Sequence, residues 1–182
     1  MFLILGDVVL RKPEPKDVDF LYQIRNDYEV TRSLGGFSSG YSRQDLNEWV
    51  EDHRKKHDEL LWTIARKEND ECLGHVGLYH IDPRVRCCEF AILIGKRQEW
   101  GKGLGTRVTQ AVLDFGFIHL NLQRIYLYVL CSNLRAIAVY RKLGFQEEGV
   151  LRRHQYRDGE YQDVMVMGLL EDEWQAVKQQ EK

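Results

Sequence analysis

Apolar residues recur with two different periods along the chain, and these periods predict a domain that mixes strands with helices. A short strand is predicted from Val8 to Lys12. Phe20, Leu21 and Ile24 then follow at helical spacing, and a second helix begins at Ser42, a residue type suited to the N-cap position. Both helices precede the long strands of the chain.

The middle of the chain predicts three antiparallel strands and a helix. The strands cover Leu60 to Arg66, Cys72 to Ile81 and Val85 to Ile94, with turn residues between them. The glycine-rich stretch Gln98 to Gly105 comes next, and apolar residues at helical spacing begin at Val108. The glycines therefore join a strand to the start of a helix.

The last third predicts a strand, a helix and a hairpin. Arg124 to Leu130 is apolar on both faces, as in a strand covered on both sides. Asn133 to Leu143 predicts a helix that ends at Gly144. Gln146 to Tyr156 and Tyr161 to Leu169 are joined by a turn containing Asp-Gly, which favours a hairpin.

The element order is thus β-α-α-β-β-β-α-β-α-β-β. The predicted fold class is α/β (α+β), with a mixed central sheet of about seven strands and flanking helices. With 182 residues, 43% of them hydrophobic and 30% charged, and with no linker-like stretch, residues 1–182 are expected to fold as one domain.

Composition narrows the choice of partners. A net charge of −2 provides no general attraction for nucleic acid or an anionic membrane surface. The apolar start, Met1 to Leu5, is too short for a signal peptide or a membrane span. The four cysteines lack metal-binding spacing and suggest no disulfide framework. We therefore expect a cytoplasmic protein without metal, nucleic acid or membrane as partner.

The glycine-rich stretch favours phosphate binding. Unpaired backbone N–H groups at a helix N-terminus attract anions, and Gly101, Gly103 and Gly105 let the backbone approach a pyrophosphate, with Lys102 adding positive charge. A flexible turn is the alternative, although a turn alone needs only one glycine. The spacing does not fit a dinucleotide-binding loop, because Thr106 stands where the third glycine belongs. A Walker A loop does not fit either, because a glycine follows the lysine.

Two motifs resemble those of a known family. Gln98-Glu99-Trp100-Gly101-Lys102-Gly103 is similar to the pyrophosphate signature Q/R-x-x-G-x-G/A of the GNAT superfamily of acetyltransferases, and Asn133 to Phe145 resembles that family's N-x-x-A-x-x-x-Y-x-K-x-G-F helix. The resemblance runs from Val8 to about Leu170. It is closest to the branch of ribosomal-protein N-terminal, spermidine and nucleotide-aminosugar acetyltransferases.

This resemblance implies an acetyl-CoA-dependent N-acetyltransferase that moves the acetyl group to a primary amine by direct attack. It implies that main-chain groups of Ile92 and Ile94 pair with pantetheine, that an N–H near Leu93 polarises the thioester, and that Tyr140 protonates the departing thiolate. A plain core aromatic is the alternative reading of Tyr140. The implied cofactor-binding residues are Ile92, Leu93, Ile94, Gln98, Glu99, Trp100, Gly101, Lys102, Gly103, Leu104, Gly105, Thr106, Asn133, Ala136 and Tyr140.

The proton from the attacking amine needs an acceptor, and Glu89 at the start of its strand is the best candidate, directly or through water. The alternative is a solvated carboxylate at a strand end. Asp163 is a second candidate, with an anchoring role for the last strands as its alternative. The resemblance also implies that the acceptor binds between the first helices and the last hairpin, which gives the acceptor-side candidates Arg25, Asn26, Phe37, Tyr41, Tyr156 and Tyr161.

Histidine spacing predicts no metal site. His53 and His57 lie four residues apart on a helix, but the residues between them are basic and include no catalytic glutamate. His75 and His80 differ by an odd number along one strand, so their side chains are expected on opposite faces. We interpret the helix as carrying a solvated basic face.

Several alternatives stay open from the sequence. The acceptor can be a polyamine, a nucleotide aminosugar, a ribosomal-protein N-terminus or an aminoglycoside-type antibiotic. A non-catalytic acyl-CoA-binding module would keep the same loop. The acyl chain length is not set by the motifs, and a homodimer stays open.

Overall fold

The structure is a computed structural model, and it describes residues 3–32, 34 and 39–180. Its strands are β1 Leu3–Leu5, β2 Val8–Arg11, β3 Leu60–Arg66, β4 Cys72–Asp82, β5 Cys87–Ile94, β6 Arg124–Leu130, β7 Gln146–Arg157 and β8 Glu160–Leu170. Its α-helices are α1 Val18–Arg25, α2 Tyr28–Thr31, α3 Arg43–Lys55, α4 Leu104–Asp114, α5 Leu134–Lys142 and α6 Glu171–Gln180. Within the described residues, no helix is long and apolar enough to cross a membrane.

The strands form a single mixed sheet in the order β1-β2-β3-β4-β5-β6-β8-β7. Neighbouring strands are antiparallel except β5 and β6, which are parallel and connected through α4. The predicted α/β class with a mixed sheet is confirmed. The predicted count of about seven strands is low by one in the part of the chain that the structure describes.

The additional strand is β1, which precedes the first strand that the sequence predicted. A two-residue turn at Gly6 and Asp7 reverses the chain, so β1 pairs with β2 as a hairpin. Gly6 has φ of 69°, which glycine adopts at little cost. Three apolar residues are too short a run for periodicity to separate from the next strand.

Two short helices were also missed. Helix α2 is one turn long, and the side chain of Asp27 caps it by accepting from the amides of Glu29 and Val30. Helix α6 packs on the sheet through Trp174, whose indole N–H donates to Asp114 at 3.0 Å. Lys178 adds an ion pair to the same carboxylate at 2.8 Å. These contacts come from distant parts of the chain, which local spacing does not report.

The sheet buries a different cluster on each face. One face packs against α4 and α5, with Val76, Leu78 and Phe90 in its core. The other packs against α1 to α3, and Leu93 contributes to that smaller cluster. Because side chains alternate along a strand, odd-numbered residues of β5 face the first helices and even-numbered residues face α4 and α5.

Candidate active site

A gap opens in the middle of the sheet. Strands β5 and β6 pair only at Cys87–Arg124, Cys88–Ile125 and Glu89–Tyr126. Beyond these pairs, β5 stays bound to β4 as far as Ile94 and β6 stays bound to β8 as far as Leu130. Residues 90–94 and 127–130 therefore have a strand neighbour on one side only. Their other edges can pair with an extended ligand, as in strand addition.

The gap belongs to a cleft of about 1370 Å³ that runs from the glycine-rich loop to the first helices. Twelve of the fifteen predicted cofactor residues line it: Ile92, Leu93, Ile94, Glu99, Trp100, Gly101, Gly103, Gly105, Thr106, Asn133, Ala136 and Tyr140. The other three do not line it. Gln98 and Lys102 are exposed on the loop, and Leu104 is buried in the core below it.

The glycine loop presents open space at the start of α4. Gly101 and Gly103 have φ of 76° and 80°, and a Cβ added to either would meet no atom within 4 Å. Gly103 is the N-cap of α4, so the unpaired N–H groups of the first turn lie beside this space. The arrangement suits an anionic group approaching the backbone.

Side-chain contacts hold this loop to the sheet. The indole N–H of Trp100 donates to the carbonyl of Ile94 at 2.8 Å. Glu99 forms an ion pair with Arg66 on β3 at 2.5 Å. The Arg135 guanidinium lies 5.1 Å from the centre of the Trp100 ring. The loop is therefore fixed at the end of β5 and at the start of α5.

Tyr140 projects from α5 into the core and lines the same cleft. Its ring lies edge-on to Phe90 and Phe145, with centroid distances of 6.3 and 5.6 Å. Burial raises the pKa of its hydroxyl, so the group stays protonated at neutral pH. The side chain of Asn133 caps α5 by accepting from the amide of Ala136 at 3.2 Å.

Glu89 lies at the point where β5 and β6 separate, and its side chain is half-buried on the cleft. Burial raises the pKa of this carboxyl group, and the neighbouring His80 opposes that effect. His80 Nε2 lies 4.0 Å from the carboxylate. Glu89 is therefore a partly shielded carboxylate on the cleft, and its role as the base stays a prediction.

The expectation that His75 and His80 point to opposite faces is wrong, because His80 reaches Glu89, which is paired with Tyr79 on the same face as His75. The pairing of β4 with β5 is irregular between Tyr79 and Asp82, and His80 has a positive φ of 53°. Such an irregularity breaks the two-residue alternation and re-aims a side chain.

The predicted acceptor-side residues separate into distinct groups. Arg25 lines the cleft, and Tyr41 packs beside it. The Asn26 amide instead ties α1 to the following loop, by donating to the carbonyl of Tyr41 at 3.0 Å and accepting from its amide at 2.9 Å. Tyr156 and Tyr161 stack at 5.0 Å on the exposed hairpin, outside the cleft lining. Phe37 lies outside the described residues.

Sequence reasoning assigned no site role to Trp49, His53, His75 or Tyr79, which are among the residues that line the cleft. It interpreted the helix that carries His53 as having a solvated basic face. On β4, His75, Gly77 and Tyr79 alternate with the core residues Val76 and Leu78. This alternation was the available signal for a second, polar face.

Asp163 was considered either as a second candidate base or as an anchor of the last strands, and its contacts are those of an anchor. Its side chain accepts from the backbone amide of Arg153 at 2.7 Å, and its carbonyl accepts from the amide of Cys131 at 3.0 Å. It does not line the cleft. These contacts join β7, β8 and the end of β6.

A family model described as an acetyltransferase (GNAT) domain matches residues 7–146. The chain belongs to the GNAT acetyltransferase family. The splayed strands and the glycine loop are thus parts of a GNAT fold, and the family resemblance drawn from the two motifs is confirmed.

Named relatives agree with this assignment. The spermidine N(1)-acetyltransferase of Escherichia coli K12 is 33% identical, over 93% of this chain and 89% of its own. The uncharacterized N-acetyltransferase p20 of Bacillus licheniformis is 33% identical, over 92% and 94%. The crystal structure of Vibrio cholerae spermidine N-acetyltransferase with CoA and spermine has a TM-score of 0.86 and 29% identity, over 93% and 99%.

The protein is therefore an acetyl-CoA-dependent N-acetyltransferase that acts on an amine, built as a GNAT domain. In the described parts of the chain, no group of three or more His, Cys, Asp or Glu side chains could hold a metal ion. Independence from metal stays a prediction.

Proposed function

We propose that acetyl-CoA lies along the gap between β5 and β6 and that the acceptor amine attacks its thioester directly. The observation that carries this proposal is the separation of the two strands beyond Glu89, between the glycine loop and Tyr140. The pyrophosphate would lie on the N-terminus of α4, and the pantetheine would pair with the free edge at Ile92 and Ile94. The oxyanion formed on attack would accept from a main-chain N–H near Leu93.

Direct attack is supported by the state of the nearby thiol. Cys131 lies at the end of β6 but is not on the cleft lining. Burial raises the pKa of its thiol, and Asp163 and Glu147 add to the effect. A thiol nucleophile needs a lowered pKa or an adjacent base. We therefore assign no covalent enzyme intermediate.

Proton transfer is assigned to two side chains. Glu89 accepts the proton that the amine loses, and Tyr140 gives a proton to the departing thiolate. The cleft places these side chains on opposite faces of β5, because Glu89 is odd-numbered and Tyr140 contacts Phe90. The two protons therefore have separate routes.

Replacing Glu89 with Gln should lower kcat/KM about 10²-fold at neutral pH, because a base contributes about that much to transfer. Since burial raises the pKa of Glu89, wild-type kcat/KM should fall with decreasing pH at values above the ordinary glutamate pKa of about 4.3. The variant should lack this decline of kcat/KM at acidic pH, which is the acidic limb of the profile. Thiol release measured as a function of pH gives both the loss at neutral pH and the acidic limb.

The control is Glu51→Gln, which removes an exposed carboxylate of α3 that pairs with Arg54. Its profile should match the wild type. An acidic limb that persists unchanged in Glu89→Gln would show that water or another group is the base.

Gly103→Ala should weaken acetyl-CoA binding about tenfold or more. The new methyl group would project into the open space above the loop, and a non-glycine residue at this positive φ costs about 1–2 kcal/mol. Titration calorimetry measures the affinity for acetyl-CoA, and thermal unfolding measures the stability that is lost to backbone strain.

Gly159→Ala is the matched control, because its φ is 84° and an added Cβ would also meet no atom within 4 Å. It lies in the turn between β7 and β8, away from the cleft. Both variants should lose similar stability, and only Gly103→Ala should lose affinity. Equal affinities in the two variants would remove the loop from the pyrophosphate site.

The proposed function is tested by release of free CoA thiol from acetyl-CoA in the presence of an amine panel. The panel contains spermidine, aminosugars, aminoglycosides, N-terminal peptides and simple amino acids, and longer acyl donors are tried with each. Thiol release with one class supports transfer. CoA binding without release from any amine would instead indicate a non-catalytic acyl-CoA-binding module.

We also propose that residues 1–182 act as one domain in a cytoplasmic setting. The free state of all four cysteines supports a reducing compartment. A homodimer, and the lack of a nucleic-acid or membrane partner, stay predictions for sizing and binding measurements.

A further inference from the structure

Arg25 carries a positive charge into the cleft without a carboxylate beside it. Its Nη2 lies 3.0 Å from Nε2 of His75, and its guanidinium carbon lies 4.7 Å from the centre of the Trp49 ring. Among the described residues, no carboxylate oxygen lies within 4.0 Å of it. Residues 33 and 35–38 include no Asp or Glu. The charge is thus held by neutral groups.

His75 cannot supply the missing negative charge. Burial, with the charge of Arg25 adding to its effect, holds the pKa of His75 well below 6.5, so the imidazole is neutral. An arginine has no acceptor atom, so Nη2 donates and Nε2 of His75 accepts. The histidine proton is then on Nδ1, which is buried without a hydrogen-bond partner in the described structure.

Two carboxylates around the cleft already have cations. Glu29 lines the cleft and pairs with Arg32 at 3.3 Å. Glu59, whose charge acts on Tyr79 of the cleft, pairs with Lys56 at 2.9 Å and lies 3.4 Å from His53 Nε2. Neither is within ion-pair distance of Arg25. The Nε of Arg25 is buried without a hydrogen-bond partner in the described structure, and a buried charge is normally paired, so this guanidinium suits an anion supplied by a ligand.

Glu89 and Arg25 lie at two ends of this part of the cleft. In the register of the sheet, His75 is opposite Leu93 and Tyr79 is opposite Glu89. The two positions are four residues apart, or about 13 Å at the rise of a strand. Between them, the ring of Tyr79 covers Gly77, whose missing side chain leaves room for it. The cleft thus has a carboxylate at the reacting end and a guanidinium beyond it.

We propose that the acceptor is an elongated amine that also carries a carboxylate or phosphate group, and that Arg25 binds this anionic group. The inference rests on the proposed function, because it places the reacting amine beside Glu89. The guanidinium lies over the Trp49 ring and donates to His75, so its remaining donors are held in place, which suits recognition of an oxyanion.

The same charge disfavours a polyamine. A polyamine with one amine beside Glu89 would bring a second ammonium group toward Arg25, and like charges in a partly dry cleft repel. The acceptor of this chain therefore differs from the substrate for which its spermidine-named relatives are named.

Four amines of similar length provide the test, each with acetyl-CoA and a thiol readout. The anionic members are 6-aminohexanoate and 6-aminohexyl phosphate, and their neutral counterparts are 6-aminohexanamide and 6-aminohexanol. Spermidine is the cationic comparison. We expect kcat/KM to be at least about tenfold higher for an anionic amine than for its neutral counterpart. Comparison of kcat/KM for the two anionic amines then shows whether the site prefers a carboxylate or a phosphate group.

Arg25→Gln should lower kcat/KM for the preferred anionic amine about 10- to 100-fold more than for its neutral counterpart. Arg25→Lys keeps the positive charge but loses the planar guanidinium, so its kcat/KM for the anionic amine should lie between those of the wild type and Arg25→Gln. Arg43→Gln is the matched control. It removes an exposed arginine of α3 that pairs with Asp19 and does not line the cleft.

The outcomes separate the two proposals. Thiol release that is equal for anionic and neutral amines, or highest for spermidine, overturns the role of Arg25 and leaves acetyl transfer standing. An equal loss for anionic and neutral amines in Arg25→Gln also overturns it. Acetyl-CoA binding without thiol release from any amine overturns the proposed function, and the acceptor assignment with it.

Discussion

Tyr140→Phe should slow acetyl transfer about 10²- to 10⁴-fold and leave acetyl-CoA affinity within about twofold. The ring is held by Phe90 and Phe145, and phenylalanine keeps those contacts. In the described structure the hydroxyl has no hydrogen-bond partner of its own. Its removal therefore deletes the proton donor with little effect on packing.

The result depends on the protonation state of the hydroxyl. Burial raises its pKa, so it carries its proton throughout the neutral range and is ready to donate. Single-turnover thiol release measures the transfer step, and calorimetry measures affinity. Tyr22→Phe removes the hydroxyl of a half-buried tyrosine of α1 that is off the cleft lining, and it should change neither the transfer rate nor the affinity. Unaltered turnover in Tyr140→Phe would refute the acid role.

Asp17→Ala should lower the free energy of unfolding by about 3–5 kcal/mol, the usual loss when one partner of a buried ion pair is removed. Asp17 and Arg11 are 2% and 4% exposed, and the carboxylate accepts from two guanidinium nitrogens at 2.8 Å. Thr63 donates to it at 2.9 Å. The substitution leaves the Arg11 charge in the interior with only Asp70 beside it.

Urea unfolding at pH 7 measures this loss, and Asp19→Ala provides the control. Asp19 pairs with Arg43 at 2.6 Å, but the two side chains are 73% and 60% exposed. Such a pair contributes at most about 1 kcal/mol. Similar losses in the two variants would contradict the importance of the buried pair.

The contribution of Asp17 should also depend on pH. Burial by itself would raise the pKa of Asp17, but hydrogen bonds from Arg11, the Glu14 amide and Thr63 outweigh it and lower the pKa. A lowered folded-state pKa gives stability that is present above the unfolded value of about 3.9 and is lost as pH falls through the folded value. The difference between wild type and Asp17→Ala should therefore narrow only below about pH 4.

The stability of this pair also matters for the cleft. Pro15 to Asp17 form the 3-10 turn that leads into α1, and α1 ends at Arg25. Loss of the pair would loosen the start of the helix that carries the acceptor-side guanidinium. The glycine loop is held in place by Trp100 and Glu99, whereas the helix that carries Arg25 is held in place at its start by Asp17 and Arg11.

The sequence by itself determined the strands and helices around the donor site, because their signals are local. Three glycines between a strand and a helix favour an anion site over a simple turn, which needs only one glycine. The Asn133 cap and the Gly144 stop bound α5 in the structure as predicted. The family and its use of acetyl-CoA followed from these two motifs, and both are confirmed.

The tertiary structure alone decided which side chains line the cleft. His80 reaches the cleft because pairing with β5 is irregular, and this irregularity depends on a partner strand. The charge of Arg25 is distinctive because no carboxylate in the described part of the chain comes within ion-pair distance of it, which sequence spacing cannot report. Strand period and helix caps are set by neighbouring residues. Side-chain direction at a bulge and charge compensation are set by residues far away in the chain, so they became visible only in the fold.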